Sequence, residues 1–216
     1  MNEYVAIRAV IFDMGGVILR SRDETPRIRL AQTFGWTHEE LIQFVFGSET
    51  ARKATVGEIT EEQHWESLRS RLGISPEEMH TFQETFWEGD FVDRELLGFI
   101  GGLRREYKTG LLSNAWSGAR KAVTEKYHAL DVFDISIFSA EVGCAKPDPA
   151  IYWMILNQLG VQPPEAIFVD DYTPNVEAAE ALGIHAIRFT NLEQVRCEVI
   201  ADRKSTRLNS SHVSQS

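Results

Sequence analysis

The 216-residue sequence is poor in cysteine: it has two, Cys144 and Cys197, which are far apart and outside any CxxC pair. A structural disulfide is therefore not expected, and such cysteine usage is typical of a reducing cytoplasm. No apolar run approaches the ~20 residues that span a bilayer, so we expect no membrane segment. The first residues also lack the basic and apolar stretches of a secretory signal. These absences predict a cytoplasmic protein.

Basic residues are scarce relative to acids: 22 Lys and Arg stand against 32 Asp and Glu, a formal net charge of −10. No basic run is present to neutralise phosphates, so we expect no nucleic-acid partner. A small anionic substrate is still compatible with this charge if a local cation offsets the overall field. Hydrophobic residues make up 43% and charged residues 25%, as in soluble globular proteins with a sizeable core.

Strand and helix signals alternate along most of the chain. The predicted strands are Ala6–Phe12, Thr109–Leu112, Ile135–Phe138, Ile167–Val169 and His185–Phe189. The predicted helices are Asp93–Glu106, Ser117–Tyr127, Pro149–Leu159 and Pro174–Leu182. This alternation favours an α/β fold with a doubly wound, Rossmann-like parallel sheet.

One interval interrupts the alternation. Roughly 90 residues separate Asp13 from Thr109, far more than a simple connection needs. Three capping boxes in this interval predict helix starts: Thr37-x-x-Glu40, Thr60-x-x-Gln63 and Ser75-x-x-Glu78. We therefore predict a small helical cap over residues 20–90, inserted into a core formed by residues 1–19 and 91–200. Residues 201–216 are serine-rich and lack apolar periodicity, so we expect a disordered tail of non-native origin.

Carboxylates follow two of the predicted strands at the point where each strand ends. Asp13 follows the apolar run Arg8–Phe12, and Asp170-Asp171 follow Ala166–Val169. In parallel α/β sheets, ligands bind at the carboxyl ends of the strands. Carboxylates that converge there can hold one hard cation. Taken singly, each acid is equally well explained as a cap for nearby backbone donors.

Polar side chains follow two further predicted strands. Ser113 and Asn114 end the strand that contains Leu112, and Lys146 lies between a strand end and the helix that begins at Pro149. A lysine is usually a solvated surface charge. Held between a proline and a helix start, however, its ammonium can pair with Asp13 and with a phosphate.

Four segments, in order, resemble the four signature motifs of the haloacid dehalogenase superfamily of hydrolases. They are Phe12-Asp13-Met14-Gly15-Gly16-Val17, Leu112-Ser113-Asn114, Lys146-Pro147-Asp148-Pro149 and Asp170-Asp171-x-x-x-Asn175. The helical insertion has the position of that family's small cap. Three phrases resemble in particular the phosphatase-like group that includes the N-terminal domain of soluble epoxide hydrolase and bacterial sugar phosphatases. They are Gly57-Glu58-Ile59-Thr60, Lys146-Pro147-Asp148-Pro149-Ala150-Ile151-Tyr152 and Val169-Asp170-Asp171.

The resemblance implies a Mg²⁺-dependent phosphomonoester hydrolase that acts through an aspartyl-phosphate intermediate. Its substrate would be a small phosphorylated metabolite such as a sugar phosphate. Asp13 would be the nucleophile. Ser113 and the backbone around Asn114 would hold the transferring group, and Lys146 would neutralise charge on Asp13 and on the phosphoryl oxygens.

The resemblance also implies which residues would bind the metal. Asp13, the backbone carbonyl of Gly15 and Asp171 would hold Mg²⁺, and Asp170 would bind the ion or support its ligands. Mg²⁺ favours a few carboxylates together with waters and phosphate oxygens. For the assembly we expect a monomer or a homodimer.

Gly15 is a departure from the family pattern. Phosphatases of this family usually carry a second Asp there, whose side chain protonates the leaving group, typically a contribution of about 10²–10⁴-fold. Because a halide leaving group needs no proton, one alternative is a metal-independent 2-haloacid dehalogenase, although the paired acids Asp170-Asp171 argue against it. A second alternative is a catalytically weak domain that binds a phosphorylated ligand.

Overall fold

The computed structural model describes residues 5–199, and the predicted tail at 201–216 lies outside the described residues. Its strands are β1 (Ala9–Phe12), β2 (Leu19–Ser21), β3 (Asp90–Val92), β4 (Lys108–Ser113), β5 (Ile135–Phe138), β6 (Ala166–Asp170) and β7 (His185–Arg188). Five of them form a parallel sheet in the order β5-β4-β1-β6-β7. β1 is therefore the central strand, between β4 and β6.

The helices are α1 (Thr25–Thr33), α2 (His38–Phe46), α3 (Glu49–Thr55), α4 (Glu61–Leu72), α5 (Pro76–Trp87), α6 (Arg94–Leu103), α7 (Ala119–Lys121), α8 (Ser139–Val142), α9 (Pro149–Leu159) and α10 (Thr173–Ala181). A further helical stretch covers residues 192–199. Within residues 5–199, no helix is both long enough and apolar enough to cross a bilayer.

Alternate residues of β1 face opposite sides of the sheet, as the two-residue period of a strand requires. Val10 and Phe12 join a hydrophobic cluster that includes residues of α6, whereas Ala9 and Ile11 join a second cluster that includes residues of α9. Helices thus cover both faces, which is why β1 is apolar throughout and fully buried. The predicted doubly wound α/β fold is confirmed.

The helices α1 to α5 form an insertion between β2 and β3, and we refer to residues 25–87 as the helical insertion. All three predicted capping boxes are present at its helix starts, with both reciprocal hydrogen bonds. The insertion has its own hydrophobic cluster, which includes Leu41, Trp65 and Phe82. β2 and β3 pair antiparallel at the place where the chain enters and leaves it.

The structure differs from the sequence-based prediction in several elements of the core. β1 begins at Ala9 and not at Ala6, and α8 was not predicted. The helix predicted over Ser117–Tyr127 is instead the short α7, followed by a π-helical turn over Ala122–Lys126. The β2–β3 pair was not predicted, because strands of three residues are too short to display a two-residue period.

Candidate active site

The turn after β1 brings two acidic segments together. The backbone N–H of Asp13 donates to the carbonyl of Val169 at 2.8 Å, so the pairing of β1 with β6 continues to the strand tip. Gly16 follows with a φ of +75°, and a Cβ on it would lie 2.2 Å from Oδ2 of Asp171. Only glycine tolerates both the left-handed backbone and this close approach. Gly16 thereby lets the turn after β1 contact the acid after β6.

Lys146 lies between two carboxylates. Its Nζ is 2.7 Å from Oδ1 of Asp13 and 2.7 Å from Oδ2 of Asp170. The three residues are buried, and the exposed fraction is 8% for Asp13, 4% for Lys146 and 0% for Asp170. A charge buried to this extent persists only when it is paired and hydrogen-bonded. The lysine therefore joins the tips of β1 and β6 to the loop before α9.

Asp170 is held by donors on both of its oxygens. Besides Lys146, it accepts hydrogen bonds from the Tyr172 backbone N–H at 2.8 Å and from Nδ2 of Asn175 at 3.0 and 3.2 Å. The backbone carbonyl of Asn175 in turn accepts from the hydroxyl of the buried Tyr152 at 2.9 Å. These contacts fix the orientation of the Asp170 carboxylate.

The side chain of Asn114 binds the main chain of Lys146 in both directions. Its Nδ2 donates to the Lys146 carbonyl and its Oδ1 accepts from the Lys146 N–H, each at 2.8 Å. The preceding residue, Ser113, ends β4 and is buried. The end of β4 thus holds the lysine-bearing loop in place.

The electrostatics of the site are dominated by burial and by an excess of carboxylates. Burial raises the pKa of Asp13 to about 7, an effect that the Lys146 ammonium opposes and the Asp170 charge reinforces. Burial also raises the pKa of Asp171, and the neighbouring Asp170 charge adds to the rise. One ammonium among three carboxylates leaves the site short of positive charge.

A metal ion fits this donor set. Asp13, Asp170 and Asp171 each offer one carboxylate oxygen, and these atoms lie within 4.8 Å of one another. Oxygen donors of this kind suit hard divalent cations such as Mg²⁺. Asp171 is the exposed member of the group, whereas Asp170 is enclosed.

The structure brings the residues nominated from the sequence to one edge of the sheet. These residues end β4 and β6, lie just after β1, β4 and β6, or lie in the loop before α9. They are Asp13, Gly15, Ser113, Asn114, Lys146, Asp170 and Asp171. Sequence reasoning assigned no role to Asn175, although it noted the residue within the fourth motif. It named Tyr152 only as part of a family-like phrase and assigned it no role, since a tyrosine on the apolar face of α9 carries no local sign that its hydroxyl supports a site.

A strand-tip aspartate paired with a buried lysine, beside clustered carboxylates on a Rossmann-like sheet, is an arrangement that suits a hydrolase. Residues 7–183 match the family described as haloacid dehalogenase-like hydrolase. The chain belongs to that family.

Three similar proteins illustrate the relationship. A phosphorylated carbohydrates phosphatase of Thermotoga maritima is 31% identical over 190 residues, which cover 84% of each chain. The bifunctional epoxide hydrolase 2 of Rattus norvegicus is 28% identical over 210 residues, which cover 85% of this chain and 36% of the rat protein. A solved HAD family enzyme from Bacteroides thetaiotaomicron, in complex with magnesium and inorganic phosphate, superposes with a TM-score of 0.71 at 22% identity, covering 86% of this chain and 95% of that one.

Proposed function

We propose that this hydrolase is a Mg²⁺-dependent phosphomonoesterase that acts through an aspartyl-phosphate intermediate on a small organic phosphate such as a sugar phosphate. The observation that carries the proposal is the buried triad in which Lys146 bridges Asp13 and Asp170 at 2.7 Å each. The phosphatase activity named for the Thermotoga maritima relative supports it.

In this proposal Asp13 is the nucleophile. One of its carboxylate oxygens attacks phosphorus, a P–O bond to Asp13 forms, and the bond to the alkoxide leaving group breaks. Water then attacks the phosphorus of the acyl phosphate, which releases inorganic phosphate and restores the carboxylate. The Lys146 ammonium favours the ionised form of Asp13 and holds it in place, because it pairs with Oδ1 at 2.7 Å.

Ser113 and Asn114 hold the transferring group in the proposed enzyme. Ser113 ends β4, next to the central strand that leads to Asp13. The amide side chain of Asn114 binds the main chain of Lys146, so what Asn114 offers a phosphate is its backbone. In phosphoryl transfer, positioning and charge neutralisation carry most of the catalysis.

Mg²⁺ is the cation we propose for the carboxylate group. Asp13, Asp171 and the backbone carbonyl of Gly15 would hold it. Asp170 would support the site, since its two oxygens already accept from Lys146, Tyr172 and Asn175. When bound, Mg²⁺ supplies the positive charge that neutralises the phosphoryl oxygens. The protein side chains orient the phosphoryl group.

Gly15 bears on which esters the enzyme hydrolyses. With no side chain at this position, the leaving group receives no proton from the usual acid. We therefore propose that esters with acidic leaving groups react fastest, because these depart without a proton. We also propose a cytoplasmic location and a monomeric or homodimeric state.

The test is phosphate release from a panel of phosphomonoesters, with Mg²⁺ and with EDTA. Release that requires both Mg²⁺ and Asp13, with Asp13→Asn as the comparison, is the expected result. No release across the panel would reject the proposal. Halide release from 2-haloacids without metal would then identify a dehalogenase, and phosphate binding without turnover would identify a binding domain.

A further inference from the structure

Trp116 links the sheet to the helical insertion. It lies only three residues after Ser113, yet its ring packs in the hydrophobic cluster of the insertion. The ring centroids of His64, Phe46 and Trp65 lie 4.5, 5.4 and 5.5 Å from that of Trp116. Trp116 is 8% exposed, so withdrawing it would open the core of the insertion.

Glu61, at the first position of α4, makes three hydrogen bonds, of which two hold the segment of Trp116 and one holds Trp65 within α4. Its Oε2 accepts from the backbone N–H of Gly118 at 3.1 Å, and its own N–H donates to Oγ of Ser117 at 3.0 Å. Its Oε1 accepts from Nε1 of Trp65 at 3.1 Å. One carboxylate thus ties the insertion's aromatic cluster to the loop that follows β4.

A second contact between the two parts lies beside the first. Gly57 has a φ of +72°, and a Cβ on it would lie 2.2 Å from the carbonyl oxygen of Ala140. Ser139, the residue before Ala140, is fully buried. Its Oγ accepts from the Ala115 N–H at 2.9 Å and donates to the Ala115 carbonyl at 3.2 Å. The turn that contains Gly57 therefore docks where the segment of Trp116 is anchored.

At its other end this segment reaches the catalytic lysine. Asn114 makes two hydrogen bonds of 2.8 Å to the main chain of Lys146. Ser113 is the residue immediately before Asn114. A chain of three residues spans at most about 11 Å, so Trp116 cannot move far from the sheet without pulling on Ser113. The segment 113–118 is thus a short strap between the insertion and the active site.

We propose that Glu61 and Trp116 are positioning residues: they fix the strap 113–118 against the helical insertion, so that the docked insertion sets the positions of Ser113, Asn114 and, through Asn114, Lys146. The expected change in kcat rests on the proposed phosphatase function. The proposal predicts that the site is fully assembled only while the insertion is docked on the strap.

The kinetic test compares four single variants with the wild type under saturating Mg²⁺. Glu61→Ala, which removes two of the three hydrogen bonds, is expected to lower kcat about tenfold. Ser117→Ala removes the third bond, from the Glu61 N–H to Oγ of Ser117, and leaves the residues of the insertion unchanged. It is expected to lower kcat as well. Glu62→Ala is the matched control, because Glu62 is the exposed neighbour in the same helical turn. Glu61→Gln, which keeps one acceptor, is expected to restore part of the rate.

A purely structural role would give a different pattern. Glu61→Ala would then have a lower Tm but an unchanged kcat per folded molecule, and Glu61→Gln would rescue only the Tm. Wild-type kcat in both Glu61→Ala and Ser117→Ala would overturn the proposal.

Hydrogen–deuterium exchange tests the coupling without any substrate. Glu61→Ala is expected to raise amide exchange in residues 113–118 and also at Lys146, whose N–H donates to Asn114. Faster exchange confined to the insertion, with Lys146 unchanged, would overturn the proposal. If the wild type releases no phosphate, the proposed function fails, and this measurement alone still decides the coupling.

Discussion

The Nζ atom of Lys146 lies 2.7 Å from Oδ1 of Asp13, and both residues are buried. A carboxylate in this position would tend to protonate, because burial penalises its charged form. The ammonium opposes that tendency and directs one oxygen of Asp13, which also accepts from the Met14 N–H at 2.7 Å. The other oxygen is left for a metal or for an electrophile. In the proposed function, this ion pair therefore leaves the second oxygen of Asp13 to act as the nucleophile.

Asp13→Asn is expected to lower phosphate release by more than about 10³-fold, as loss of a nucleophile does. The fold should persist, because the pair between Lys146 and Asp170 at 2.7 Å is untouched. Steady-state rates and Tm values for the variant give the answer, with Asp23→Asn on the surface as the control. A wild-type rate in Asp13→Asn would show that another group is the nucleophile.

Gly15→Asp is expected to raise the hydrolysis of alkyl phosphates by about 10²-fold, since it supplies a general acid. A Cβ at Gly15 would meet nothing within 4 Å, so the side chain can be accommodated. Hydrolysis of p-nitrophenyl phosphate should change little, because its leaving group needs no proton. The ratio of the two rates is the readout.

The adjacent glycine provides the contrast. Gly16→Ala is expected to lose activity, because its Cβ would lie 2.2 Å from Oδ2 of Asp171 at a φ of +75°.

If Gly15→Asp left alkyl phosphate hydrolysis unchanged while the protein remained folded, another acid would already serve the leaving group.

Asn175→Ala is expected to lower kcat about tenfold, because it removes the hydrogen bonds to Asp170, and such bonds to a charged group are worth about 1.5–3 kcal/mol. Asn175→Asp should be worse, since it places a second carboxylate against Asp170. Asn157→Ala, at an exposed position of α9, is the control. If Asn175→Ala and Asn175→Asp both kept the wild-type kcat, Asp170 would not be oriented by this residue.

His64 is expected to make stability depend on pH below neutrality. Burial lowers its pKa from the usual 6.5, so the folded protein holds the neutral ring. The stabilisation is present above pH 6.5, the value expected for the unfolded chain, and is lost as the pH falls towards the lower folded pKa. Nδ1 of His64 lies 2.9 Å from Oγ1 of Thr50, a contact that glutamine can replace.

Thermal unfolding from pH 7.5 to 5.5 in wild type and His64→Gln gives the comparison. The Tm of the wild type should fall more steeply below about pH 6.5, the unperturbed pKa of histidine, than that of the variant. Acidic groups shared by both proteins cancel in the difference between the two curves. Parallel curves would mean that His64 does not protonate on unfolding.

The sequence by itself determined the alternation of the five sheet strands with helices, the starts of α2, α4 and α5, and the position of acids at the tips of β1 and β6. These features depend on neighbours a few residues apart: the capping box at Thr60, for example, involves only Gln63. The apolar run of β1 likewise required only that both faces of the sheet be covered.

Tertiary structure alone decided which side chains meet. Gly57 is noticed in the sequence only as part of a family-like phrase, and the Ala140 carbonyl that excludes a side chain there is distant along the chain. Tyr152 supports Asn175, and Trp116 enters the core of the insertion, through contacts that no local pattern encodes. Local periodicity reports the face on which a residue lies. The partner that it meets on that face depends on how whole elements pack.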